Sequence, residues 1–224
     1  MLHELLSSKN GKRILIDIRH MSIEARLEYY SLVKKHNTKN PNDCIPIISS
    51  HTAVNGFETI QKSIEKKDNM QKVNSSDFFS WGINLSKEEI RIIHESNGII
   101  GVILDKGRHA GTKKLKRIND IKNKYIQKQA FLELILDNVF FYIQAVGKKT
   151  AWDMLTLGSD FDGVITHFDV YDSMDKMASL KADLITYLES TKYKQELWFS
   201  YTPDEILDKI FHSNANEFLK TYFT

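Results

Sequence analysis

One cysteine, three prolines and ten glycines stand in 224 residues. The single cysteine, Cys44, excludes an internal disulfide framework and fits a reducing compartment, so a cytoplasmic location is expected. So few prolines and glycines exclude long Pro- or Gly-rich linkers. An excess of charge is missing as well. The 31 Lys and Arg against 29 Asp and Glu leave a net charge of +2, so no nucleic-acid surface is expected. An uninterrupted apolar run of membrane-spanning length is also missing. The most apolar long stretch, residues 130–146, contains Glu133, Asp137, Asn138 and Gln144. It reads as an amphipathic or buried helix rather than a transmembrane segment. Residues 1–13 lack the apolar core of a signal peptide, so none is expected.

What is present is ordinary for a soluble globular chain: 42% hydrophobic and 27% charged residues, in a length that supports one domain with a real core. A single domain over residues 1–224 is expected. Four short, apolar, β-branched stretches predict buried strands at residues 14–19, 45–50, 99–104 and 154–158. Helical signals alternate with them. Ser22 is a good N-cap for residues 23–36. Ser86 with Glu89 forms a capping-box pattern for a helix that stops at Asn97-Gly98. Residues 52–79 are weakly patterned and read as a long loop with a helical piece around 57–66. A basic segment, residues 113–128, leads into the helix ending near Gly147, and three further helices fill the tail. Strands alternating with helices imply parallel β/α units with right-handed crossovers.

Each predicted strand ends in polar residues: His20, His51, the Asp105–His109 loop, and Asp160 with Asp162. In parallel β/α architecture those ends lie on one face, where chemistry is placed. Adjacent parallel strands are about 4.8 Å apart, so histidines at neighbouring tips can reach one ion. Neutral imidazole suits zinc, and Asp160 can supply a carboxylate. That combination points to hydrolysis: metal-activated water attacks a carbonyl while a carboxylate shuttles the proton.

These residues carry a resemblance. Ile16-Asp17-Ile18-Arg19-His20-Met21-Ser22, Pro46-Ile47-Ile48-Ser49-Ser50-His51-Thr52-Ala53, Asn84-Leu85-Ser86 and Gly158-Ser159-Asp160-Phe161-Asp162-Gly163 together resemble the membrane (renal) dipeptidase family. Its members are binuclear zinc peptidases with an amidohydrolase-like barrel. The resemblance covers nearly the whole chain but only the carboxyl-terminal half of a family member. It implies an α/β fold: the C-terminal half of a TIM-barrel metallohydrolase, with about four parallel strands and extra C-terminal helices. It implies that His20 and His51 are the two histidine ligands of one zinc, and that Asp160 is the acid that handles the proton. The implied substrate is a small peptide or amide, and the implied cofactor is zinc, two ions per complete site. This chain contributes at most one partial site, because the family's His-x-Asp pair and bridging glutamate belong to the half it lacks. The family's carboxylate-binding arginine has no counterpart either; Trp81-Gly82-Ile83 occupies that region.

Two other readings are open from the sequence. A degenerate, non-catalytic binding or scaffold domain of the same fold fits the missing half. Asp160-Phe161-Asp162-Gly163-Val164 after an apolar strand also matches the nucleophile loop of haloacid dehalogenase-like phosphatases. Four β/α units leave open sheet edges, so a homo-oligomer or pairing with the missing half is expected.

Overall fold

The computed structural model describes residues 2–9, 11–65, 77–163 and 165–223. Three short parallel strands form the sheet: β1 (Ile48–Thr52), β2 (Ile99–Val102) and β3 (Leu155–Leu157), in the order β1-β2-β3. Around them lie α1 (Leu2–Leu5), α2 (Ile23–Lys39), α3 (Ile60–Glu65), α4 (Lys87–Glu95), α5 (Lys106–His109), α6 (Thr112–Asn119), α7 (Lys124–Val146), α8 (Met177–Thr191), α9 (Pro203–Asp208) and α10 (Asn214–Phe223). The parallel pairing is as predicted. The count of four strands is not: among the described residues the first predicted strand is reduced to a single parallel bridge between Asp17 and Ile48.

Side-chain chemistry explains the loss. Ile18 N–H donates to Ile48 O at 2.9 Å, but the next rung is intercepted. The Asp17 carboxylate, through Oδ1, accepts the N–H groups of both Ser50 and Arg19 at 3.1 Å. A carboxylate that takes the ladder's donors ends the ladder. Ile14, at the start of the stretch, is 61% exposed, so burial does not restore it.

The other predicted elements form with shifted ends. Ser22 caps α2 by accepting from Ala25 N, and Ser86 caps α4 in a complete capping box with Glu89. Of the weakly patterned region, α3 is described, whereas residues 66–76 of the expected loop lie outside the described residues. α7 is long and apolar enough to cross a membrane by length and composition alone, but two thirds (67%) of its most apolar window is buried. Its Phe131, Leu134, Phe140, Tyr142 and Ile143 pack in the core, with Phe140 edge-on to Trp152. It is the central core helix, as the interspersed polar residues predict.

Buried polar side chains join these layers. Asn138 on α7 accepts from Val54 N–H through Oδ1 and donates to the His109 and Leu134 carbonyls. Asn214 donates to the Trp152 and Leu155 carbonyls at 2.7 Å each, fastening the tail to the start of β3.

The Asp105–His109 loop is not a ligand-bearing strand end. Asp105 caps α5 by accepting from Gly107 N–H at 2.8 Å. His109 is fully buried, edge-on to Phe168, with Nε2 donating to Ile103 O at 2.6 Å. Burial holds its pKa below the ordinary value. In the unfolded chain the ring titrates near 6.5, so below that pH the unfolded state binds a proton that the folded state refuses. Stability is therefore complete above about pH 6.5 and lost on acidification, by up to about 1.4 kcal/mol per pH unit for this group. Urea midpoints of wild type and His109→Gln at pH 7 and pH 5 check this. The variant should lose less on acidification; equal losses would exclude His109 as the cause.

Candidate metal centre

His20 and His51 meet. Their Nε2 atoms are 3.1 Å apart, with ring centroids at 5.0 Å and an interplanar angle of 52°. His20 follows the Asp17–Ile48 bridge, and His51 lies within β1, not after it. Asp160 completes the group: its Oδ2 is 3.9 Å from His51 Nε2. All three residues singled out from the sequence thus lie on one face at the strand tips.

A bulge aims His51. Ile48 pairs with Ile99, Ser49 with Ile100, and Thr52 with Val102, so Ser50 and His51 together oppose the single residue Gly101. That two-against-one count breaks the strict alternation of side chains. Ser50 Oγ can therefore lie 2.7 Å from Nδ1 of its own sequence neighbour, His51. The bulge needs two glycines. A Cβ on Gly101 or on Gly158 would lie 1.9 Å from the Ser50 carbonyl oxygen. An isolated glycine within a strand signals such a close backbone approach. Gly101 carried that signal in the sequence, where it reads only as part of a strand.

Pairing that continues past β3 positions Asp160. Gly158 N–H donates to Val102 O at 3.0 Å and Leu104 N–H to Ser159 O at 3.3 Å. The chain then turns, with Asp160 at φ 58° and Asp162 at φ 69°. Aspartate tolerates this left-handed region better than most side chains, and Gly163 N–H closes the turn on Asp160 O at 3.0 Å. Asp162 is exposed. No strand follows β3 among the described residues, whereas the phosphatase reading requires further strands behind the loop.

Two arginines flank the group, and residue spacing did not reveal them. Arg19, buried, donates from Nη1 to Ile83 O at 3.0 Å. Arg108, half-buried, stacks its guanidinium 4.1 Å from the centre of the Trp81 ring. Both heads converge on the segment that carries Trp81, Gly82 and Ile83. Burial, followed by repulsion from Arg108, lowers the Arg19 pKa to about 10, so it stays cationic at neutral pH. Burial lowers that of Arg108, against the pull of Asp105 and Asp160. Among the described residues, Arg19 Nε and Arg108 Nη1 are buried without a hydrogen-bond partner. Burial and the Arg19 charge hold His51 below its ordinary pKa, which favours a neutral, ligand-competent ring.

Zinc bonds of about 2.0–2.1 Å at a near-tetrahedral angle set two ligand nitrogens about 3.3 Å apart. The pair at 3.1 Å meets that requirement. Among the described residues, however, no group of three or more His, Cys, Asp and Glu side chains could hold a metal. The described residues offer two facing ligand nitrogens rather than a complete cage.

The fold is similar to that of the crystal structure of dipeptidase AC, a metallopeptidase of family M19, with a TM-score of 0.55 and 16% identity over 94% of this chain and 43% of that one. The fold resembles part of an M19 dipeptidase. A metallopeptidase from Rhodobacter sphaeroides, solved with a phosphinate mimic of the dipeptide L-Ala-D-Ala, matches with a TM-score of 0.47 and 16% identity over 87% of this chain and 46% of that one. The chain thus spans less than half the length of either metallopeptidase. No protein-family model matches the chain, and no curated protein matches it in sequence.

Proposed function

We propose that this chain provides part of the site of a zinc-dependent peptidase acting on dipeptides or related amides in the cytoplasm, with the remaining ligands supplied from outside the chain. The observation that carries this reading is the 3.1 Å approach of the two imidazole Nε2 atoms at adjacent strand tips. The fold likeness to an M19 dipeptidase supports it.

His20 and His51 would hold one ion, which supplies an activated water and a polarised carbonyl. Asp160, 3.9 Å from His51, would take the proton of the attacking water and return it to the leaving nitrogen. Arg19 and Arg108 would set a positive field beside the site, which suits a substrate that ends in a carboxylate. The family's own arginine is missing from the segment at Trp81, and Arg108 brings a guanidinium to that ring from a different strand tip.

Zinc titration of the full chain by calorimetry tests the reading. Wild type should bind zinc, His20→Ala and His51→Ala should each weaken it more than about tenfold, and Asp160→Asn should leave it nearly unchanged. Dipeptide hydrolysis by this chain alone is not expected. Wild type that takes up no zinc would favour the non-catalytic scaffold.

A further inference from the structure

We infer that Asp17 and Ser50 form a proton-fixing relay that sets the tautomer of His51, so that its Nε2 lone pair faces His20. Three contacts carry the inference. Ser50 Oγ donates to Asp17 Oδ2. Ser50 Oγ also lies 2.7 Å from His51 Nδ1. His51 Nε2 faces His20 Nε2 at 3.1 Å.

The donor inventory leaves one assignment. An ionised carboxylate can only accept, and a hydroxyl has a single proton to give. That proton goes to Asp17. The contact with His51 then needs a proton from the ring, so Nδ1 is N–H and Nε2 is bare. In the metal-free chain the facing nitrogen of His20 is the donor across the 3.1 Å gap. A histidine ligand whose second nitrogen is anchored this way is fixed in both orientation and tautomer.

Asp17 is itself fixed in place. Its other oxygen accepts the backbone N–H groups of Ser50 and Arg19, so the carboxylate that trims the sheet edge also orients the serine. The bulge at Ser50–His51 makes the relay possible, because neighbouring side chains in a regular strand point to opposite faces. Asp17 and Ser50 are positioning residues: they act on the site only through His51. The relay deepens the metal reading by naming what prepares one ligand, but it exists without metal and is tested without it.

The test is the histidine 15N spectrum of the metal-free full chain at pH 8, with the His51 signals identified as those missing in His51→Asn. Wild type should show His51 with its proton on Nδ1. Ser50→Ala removes the acceptor and should abolish the preference, while Ser50→Thr keeps the hydroxyl and should retain it. Asp17→Asn is the sharper variant. Its Oδ1 keeps the two backbone donors, and its amide nitrogen now donates to Ser50 Oγ. The hydroxyl proton must then turn to His51 Nδ1, so the ring should switch to the Nε2–H form in a side chain of the same shape. An Nε2–H tautomer in wild type, or an unchanged one in Asp17→Asn, would overturn the relay. Failure of wild type to bind zinc would count against the metal reading alone, since this spectrum is read without the ion. In the zinc titration, Ser50→Ala should cost about 10–100-fold in affinity, the range for groups that orient a ligand.

Discussion

Gly101→Ala should be among the most damaging single-methyl additions to this chain. The new Cβ would lie 1.9 Å from the Ser50 carbonyl oxygen and 3.0 Å from the Gly158 Cα. Neither is the end of a flexible side chain that can swing away. Both belong to strands or strand ends paired with β2, so relief requires moving backbone at the sheet centre. Overpacking ordinarily costs about 1–3 kcal/mol, and clashes with fixed backbone fall at or beyond the top of that range. The consequence is also local. The carbonyl that must move belongs to the bulge that puts Ser50 beside His51 and His51 opposite His20. Urea unfolding should show a loss of about 3 kcal/mol or more, or no folded protein at all. Any folded fraction should bind zinc more weakly than wild type. Gly158→Ala meets the same oxygen at the same distance and should behave alike. A Gly101→Ala variant with wild-type stability and zinc affinity would show that the bulge does not depend on that space.

The second large effect is expected at Glu89, far from the histidines in sequence but tied to the same loop. Its side chain is completely buried, and Arg26 Nη1 reaches Oε1 at 2.6 Å. Tyr30 OH donates to Oε1 at 3.1 Å, while Ser86 N–H and Oγ donate to Oε2 at 2.9 Å each. Burial pushes this carboxyl's pKa up, and the Arg26 guanidinium opposes the shift. Glu89→Ala leaves the Arg26 charge buried without its counter-ion and two hydroxyls without their acceptor. Breaking a buried pair from one side typically costs about 3–5 kcal/mol. Arg26 also donates to Gly82 O, in the segment on which Arg19 and Arg108 converge, so the loss should loosen that side of the site. Urea denaturation of Glu89→Ala checks the magnitude. The double variant Arg26→Met with Glu89→Leu should recover part of it, because an apolar pair leaves no orphaned charge. A loss below about 1 kcal/mol in the single variant would mean that solvent reaches the pair.

The helix ends and the site histidines were legible because their signals are local. Ser22 and Ser86 cap the helices predicted from them, and capping chemistry lies within four residues. His20, His51 and Asp160 were legible because each stands near the end of an apolar stretch, and parallel pairing brings such ends together. The first predicted strand was misread for the opposite reason. Apolar, β-branched residues 14–19 carry the pattern of a strand, but whether a ladder forms depends on what the neighbour's N–H groups meet, and here they meet the Asp17 carboxylate. Arg108 was visible only as a charge near a strand end. Its approach to Trp81 joins two loops distant in sequence, and no periodicity records that.

By itself the sequence determined a parallel α/β fold, the order of its strands, the capped helices between them, and the three side chains that share the strand tips. Pattern and spacing suffice for these because burial has a fixed period and a β/α unit has one hand. Only the tertiary structure decided that the sheet stops at three strands and that His51 sits on a bulge seated over Gly101 and Gly158. It also decided that Asp17 and Ser50 stand behind the His51 ring. Each depends on the position of a single backbone carbonyl or hydroxyl proton relative to a neighbouring strand, a distance that the order of residues along one chain does not contain.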